Sequence, residues 1–365
     1  MTFYKKALFV LIFIILGYVL WKQIQRRGGL WTTNEGTTNE GTTNVGTTNE
    51  GFTFFTSPDT ELATLKTEAN AKIQNVNVKH YKLPIKEYCI KASYNTAYTG
   101  KYINTDMVKY IISRGTRFLD FEVYMVDGKP CVGFSTDEDY TTLDTQNSIL
   151  LDSVFNVIVA NAFTSLGCPN NADPLFINLR IKSDDPTVYK EVAKVVEVTL
   201  KPKLHVSPVS KETPLSNILG KVVLLVDKTI NYEYKKLASC KPNDRNCIDL
   251  TSYITLETGS EDLFLVNSED LEKQNTVPIR ILNDNIHTSI QNMRFIRPSY
   301  DTTKVENPKL GELIKGFGTQ IVPYCFYHPD AELTEYEAFF DDHKTAFVTL
   351  SNAVKYIERG NKVKP

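Results

Sequence analysis

The chain is 365 residues long, which leaves room for one large domain or two ordinary ones. An apolar fraction of 42% and an aromatic fraction of 11% supply a core and exclude a disordered protein. A formal charge of −2 gives no global attraction to nucleic acid, so no nucleic-acid partner is expected; local basic patches stay open.

The first element is apolar. Ala7 to Trp21 is an almost unbroken hydrophobic run flanked by Lys5, Lys6, Lys22, Arg26 and Arg27. As a helix, residues 3–21 would be about 28 Å long, close to the hydrocarbon thickness of a bilayer. A single-pass membrane anchor over residues 1–27 is therefore expected, retained because no small-x-small cleavage site follows it. Positive charge on the two flanks nearly balances, so the membrane side stays undecided. No Asn-x-Ser/Thr sequon occurs, which weighs against a glycosylated lumenal body. Residues 32–51 then read TTNEG, TTNEG, TTNVG, TTNEG, a glycine-bearing repeat with almost nothing apolar to bury. The segment 28–57 reads as a flexible tether with a root-mean-square span on the order of 30 Å.

A lead-in segment occupies residues 58–80, with one helix predicted over 59–73. From residue 81 to 228 strands and helices alternate. Strands are predicted at 88–92, 117–124, 130–134, 175–181 and 221–226, and helices at 105–113, 148–163 and 186–200. That alternation implies an α/β domain with parallel strands. Residues 229–248 lapse into charged and turn residues and read as a linker; a second half follows over 249–365. The six cysteines lack CxxC or CxxH spacing, which argues against zinc. Reduced, unpaired thiols are the leading expectation, with a loop disulfide between Cys240 and Cys247 as the alternative.

The stretch from Tyr88 to Phe134 carries the site signal. It holds a polar turn, Ser93-Tyr94-Asn95-Thr96, and then a strand ended by the turn pair Asp127-Gly128. On that strand Asp120 and Glu122 are two apart and share a face, while Leu119, Phe121 and Val123 share the other. Two acids on one face of a buried strand need a cation or a polar cavity, and a structural salt bridge would give the same pattern.

LPIKEYCIKASYNTAYTG, RGTRFLDFEVYMVDGKPCVGF and DPLFINLRIKSD resemble the X region of the phosphoinositide-specific phospholipases C. ILGKVVLLVDK at 218–228 is similar to the strand that closes that region. DLTSYITLETGSEDLFLV, RFIRP, ENP and the Gly318, Gln320, Val322 strand resemble the Y region. The resemblance covers roughly residues 81–360 and implies a TIM-like (β/α) barrel in X-like and Y-like halves. It leaves no expectation of an EF-hand, a pleckstrin-type segment or a C2 domain. In that family two histidines move protons around a calcium held by carboxylates and an Asn. Tyr94 stands at the first histidine position, and Phe134 at or beside the second. Asn95 matches the ligand Asn; Asp120 and Glu122 match the paired acids, swapped; Arg180 replaces the last ligand Glu. An arginine there implies a bidentate pair with Asp120 or Glu122, so no cofactor is expected, calcium returning only if that pairing fails. Bacterial relatives also use an arginine in place of the metal. Lys228, Arg294 and Arg297 lie near phosphate-holding positions, while Phe295 replaces a phosphate-binding Arg. His80, His205, His287, His328 and His343 fall outside the motifs, as do Asp106 and Asp144, and Asp137, Glu138 and Asp139 read as a solvated loop.

The expectation is a membrane-anchored phospholipase C-like pseudoenzyme that binds membrane lipid, including phosphoinositide, or serves as a scaffold for protein partners. The alternative is an active metal-independent phosphodiesterase with relocated proton carriers.

Overall fold

The structure, a computed structural model, describes residues 57–363 apart from 68, 138–141, 242–243, 245–246, 274 and 300–305. The expected membrane helix and the repeat tether lie outside these residues. Among the described residues no helix is long and apolar enough to cross a membrane.

Eight parallel strands follow one another around a barrel: β1 (Tyr88–Ser93), β2 (Phe118–Val126), β5 (Leu175–Ile181), β6 (Val222–Asp227), β7 (Ile254–Thr258), β8 (Phe264–Asn267), β9 (Arg294–Arg297) and β10 (Ile321–Tyr324). The last pairs back onto the first, Ile90 opposite Ile321. Among the described residues no ladder joins β7 to β8, so the ring is nearly closed. Strands such as LFINLRI and VVLLVD are buried on both faces, which is why they read as near-continuous apolar runs. The parallel α/β expectation holds.

Three strands stand outside the ring. β3 (Lys129–Gly133) folds back antiparallel on β2, so the strand predicted at 130–134 does not join the parallel set. Asp127 and Gly128 both have positive φ (50° and 73°), the twist a two-residue hairpin needs. β4 (Ile149–Leu150) pairs with β3, and β11 (Phe347–Thr349) runs antiparallel to the start of β1.

Helices cover the ring: α1 (Pro58–Leu65), α2 (Thr105–Ser113), α3 (Leu151–Ala162), α4 (Val188–Thr199), α5 (Tyr234–Ala238), α6 (Leu310–Phe317), α7 (Ala331–His343) and α8 (Leu350–Val363). α2 begins where the Asn104 side chain accepts from Asp106 N, and it buries Met107, Val108, Ile111 and Ile112. Two helices start later than predicted for local reasons. Residues 149–150 are drawn into pairing with β3, delaying α3. Asp185 Oδ1 accepts from Thr187 N and Oγ1, holding a turn ahead of α4.

The helix predicted over 59–73 ends at Leu65. Beyond it the backbone is claimed by side chains of the body: Thr67 N donates to Tyr110 Oη, Arg114 Nη1 to Ala69 O, and Lys72 N to Asp341 Oδ1. The segment becomes an extended strap that buries Ile73 and Val76 across the N-terminal end of the barrel. The expectation of six unpaired thiols is also corrected. Cys240 and Cys247 form a disulfide, while Cys89, Cys131, Cys168 and Cys325 stay free and buried. Backbone turns at Asp244 N→Lys241 O and Cys247 N→Asp244 O bring the two ends of the loop together.

Candidate functional site

Alternation along β2 and β5 builds the barrel interior in layers. Phe118 and Phe176 stand side by side at the N-terminal end, and Phe295 and Phe347 join them to form an aromatic floor. Two residues further along, the same register sets Asp120 beside Asn178; two further, Glu122 beside Arg180. Lys182 continues the parity just beyond β5. The predicted split of β2, acids on one face and Leu119, Phe121 and Val123 on the other, is therefore what organises the site.

Arg180 is its centre and is fully buried. Its Nε donates to both oxygens of Asp120 (3.1 and 3.2 Å), and Nη2 reaches Asp120 Oδ2 at 2.6 Å. Nη1 donates to Glu122 Oε1 at 2.5 Å, and Nη2 also to Asn95 Oδ1 at 2.6 Å. The Tyr94 ring lies against the guanidinium, 4.4 Å from Cζ. Burial pulls the Arg180 pKa down, but Asp120, Tyr94 and Glu122 outweigh it and hold the group charged. Burial likewise pushes the Glu122 carboxyl up, and Arg180, Lys182, Tyr124 and Ser135 N more than reverse it, so the net shift is downwards.

The turn Ser93-Tyr94-Asn95-Thr96 closes over these acids because of its own hydrogen bonds. Asn95 is left-handed (φ 42°), a conformation Asn tolerates, and its N–H reaches Asp120 Oδ2. Thr96 N donates to Asp120 O, and Asp120 N to Thr96 Oγ1. Of the six residues singled out in the sequence, Tyr94, Asn95, Asp120, Glu122 and Arg180 meet at one point. Phe134 lies in the adjoining aromatic cover, stacked on Tyr98 at 5.0 Å, and Tyr98 in turn meets Tyr327 edge-on. Tyr94 and Phe134 are both buried, so rings fill the space above the ion pair.

Several members of the network were not anticipated. Lys182 lies 3.2 Å from Glu122 Oε2 and donates to Ser135 O; burial lowers its pKa, Glu122 opposing. Asn178 donates to Asp120 Oδ1 and accepts from Thr258 Oγ1. Arg297 Nη1 pairs with Asp227 Oδ2 at 3.1 Å, and Nε donates to Asn267. The buried charges thus balance, Arg180, Lys182 and Arg297 against Asp120, Glu122 and Asp227. The shared parity of Asn178, Arg180 and Lys182 was the signal available for the first two. Asp227 comes from a distant strand and left none, while Arg297 was marked only by its place near the phosphate-holding positions.

One expectation needs adjustment. Arg294 sits at the opposite, N-terminal end of β9, where its Nη1 donates to Phe317 O, so it is separated from Arg297 and the site. Asp137 and Asp144 serve loop turns by accepting from Thr142 and Thr136. The histidines' partners lie elsewhere: His287 faces Asp284 and Glu87, His328 lies near Asp330, and His343 meets Phe339 O.

A barrel of this topology with polar residues at its strand C-termini has the fold of the phosphoinositide-specific phospholipases C. Among solved structures, PLC21 of L. pealei and PLC21 of S. officinalis each superpose with a TM-score of 0.52, at 13% and 14% identity. Each match covers 76% of this chain and 38% of that one, so the chain spans well under half the length of either. The phosphatidylinositol-specific phospholipase C from Listeria monocytogenes is 11% identical, with a TM-score of 0.40 over 73% of this chain and 97% of that one. No family model matches the chain, and no curated protein matches it. At these identities the likeness establishes the fold.

Proposed function

We propose that this chain is a phospholipase C-like protein whose former reaction centre has become a structural ion-pair network. In this reading it is a membrane-tethered pseudoenzyme that binds lipid or serves as a scaffold. Its barrel divides into an X-like half (81–228) and a Y-like half (249–365), held near a bilayer by residues 1–27 through the tether.

One observation carries the proposal. Of the oxygens that the resemblance would offer a calcium ion, both of Asp120, Glu122 Oε1 and Asn95 Oδ1 are engaged by Arg180, and Glu122 Oε2 is taken by Tyr124, Ser135 N and Lys182. A guanidinium in the middle of that donor set does not fit a hard dication, which needs six to eight oxygens around it. The proton carriers are gone as well. A phenyl ring at 134 moves no proton, and a phenol, as at 94, is a weak acid and a poor base for this reaction at neutral pH. Each lost proton-transfer group is worth about 10²–10⁴ in rate.

The test is the full chain in mixed vesicles of phosphatidylinositol and phosphatidylcholine, assayed for inositol phosphate with calcium and with a chelator. No release above the uncatalysed background is expected in either condition, and a calorimetric calcium titration should be flat. Turnover would overturn the proposal. The alternative, an active metal-independent phosphoric diester hydrolase, is favoured by Lys182, a buried amine with a depressed pKa beside Glu122. It requires chelator-resistant release that Lys182→Met abolishes.

A further inference from the structure

The net charge of −2 conceals a polarity along the barrel axis. Loops beyond the strand C-termini carry Asp137, Asp144, Asp184, Asp185, Glu269 and Asp270, against Lys228 and Lys273, the latter paired with Asp270. The segments that lead into the strands are basic instead. Lys79 and Lys82 precede β1, Lys203 and Lys221 precede β6, and Arg280 precedes β9; among the described residues none of these five makes an ion pair with a carboxylate. Acids at the same end are fewer: Glu212 pairs with Lys86, Asp284 lies 3.6 Å from His287, Asp249 precedes β7, and Glu261 and Asp262 precede β8, Asp262 accepting from Lys211 N.

Backbone contacts knit these segments into one surface. Leu215 N donates to Leu83 O, Ser216 N to Tyr81 O and His205 N to Val222 O, and Lys203 Nζ lies 5.2 Å from the Phe163 ring. The same end also exposes aliphatic side chains: Val78, Leu166 and Val206, with Leu282 and Ile286 at the tip of the 281–288 hairpin. Scattered aliphatics among unpaired lysines on protruding loops complement an anionic lipid surface. The headgroups meet the ammonium groups, and the branched side chains reach the acyl boundary. A protein partner would call for a continuous packed patch, and nucleic acid for aromatic or bidentate readers.

We propose that the N-terminal end of the barrel, the face opposite the Arg180 network, docks on membranes rich in anionic lipid. This rests on the tether reading only for the presence of a bilayer; thirty residues of tether can extend to about 100 Å, enough for the body to turn that face inward.

The experiment uses the full chain with an environment-sensitive nitrobenzoxadiazole label at Val206→Cys, or at Tyr232→Cys near the other end. The four free cysteines are buried and the other two are bonded, which directs the label. With phosphatidylcholine vesicles containing phosphatidylserine, the label at 206 should brighten several-fold and shift to the blue, and the label at 232 should not. High salt should reverse the change. Replacing Lys79, Lys203 and Lys221 together by glutamine should weaken the response roughly a hundredfold, about fivefold per lysine. Equal responses at both positions, a response to pure phosphatidylcholine, or none at all would overturn the proposal, the last leaving an acidic protein as the partner to seek. Flotation on pure phosphatidylcholine reports the anchor separately: failure to float sinks the tether reading and leaves the phosphatidylserine comparison intact.

Discussion

Removing the charge of Arg180 would leave the Asp120 carboxylate without its cation beside Glu122 in a fully buried site. Breaking a buried pair by deleting one partner typically costs about 3–5 kcal/mol. Arg180→Met should therefore lower the urea midpoint at pH 7 by that equivalent; a loss under about 1 kcal/mol would show that the network does not support the fold. The sign of the pH effect follows from Glu122, whose folded pKa is net lowered. Its contribution is full above its unfolded value of about 4.3 and is lost as pH falls through the folded one. The penalty of the substitution should accordingly shrink in acid. Asp173 behaves oppositely. Burial pushes its carboxyl up to about 6, against hydrogen bonds from Val76 N and Asn170 and the charge of Arg117. Stability from this group is complete below about pH 3.9 and is lost as pH rises through about 6. Relative to Asp173→Asn, the unaltered chain should lose about 2 kcal/mol between pH 4 and 8, measured by urea unfolding across that range. A flat difference would rule out a raised pKa at 173. At this scale the sequence was informative where chemistry is local. Period two along β2 placed both acids on one face before any fold was known. The partners of Lys182, Asp227 and Arg297 were not readable because they come from other strands.

Elements were readable where burial dictated an unbroken apolar run, as in β5 and β6, and less so where tertiary hydrogen bonds decide. The leucines at 62 and 65 extend a helical pattern that the body then overrides by capturing the backbone of 67–74. The fit of that strap rests on Gly115, which has φ +77° and whose added Cβ would stand 2.7 Å from Ile73 Cγ2. Gly115→Ala thus combines a left-handed strain with overpacking and should cost about 1–3 kcal/mol. Limited proteolysis should find new cleavage within 66–78 while the barrel remains resistant. Unchanged cleavage would mean that the strap is held by its hydrogen bonds alone. The disulfide stood in the sequence only as the alternative to free thiols, for a related reason. Two cysteines seven apart have no pattern to announce them, and only the turns at Lys241–Asp244 and Asp244–Cys247 bring them together.

Across the whole molecule the ring is unevenly fastened, and this is where its two halves differ physically. In the first half the β2–β5 ladder runs unbroken from Phe118–Phe176 to Val123–Ile181, and β5–β6 from Leu175–Val222 to Leu179–Val226. In the second half β8 is four residues long and half-exposed, one of its edges lacks a neighbour at the β7 seam, and β9 meets β10 at the single registered pair Phe295–Ile321. Short, partly exposed strands with few apolar residues are also why that half was the harder one to delimit from sequence. Free energies of local opening follow buried area and ladder length, so such a ring should not open all at once. Native-state hydrogen exchange should show the amides of β8 and β9 opening well below the global unfolding free energy, with those of β2, β5 and β6 exchanging only through global unfolding. The contacts of Arg180 itself join the turn after β1 to β2 and β5, so the amides of Asp120, Glu122 and Arg180 should report the slow class, and that of Arg297 on β9 the fast one. Uniform protection around the ring would mean that the β7–β8 gap is bridged by interactions as strong as a ladder.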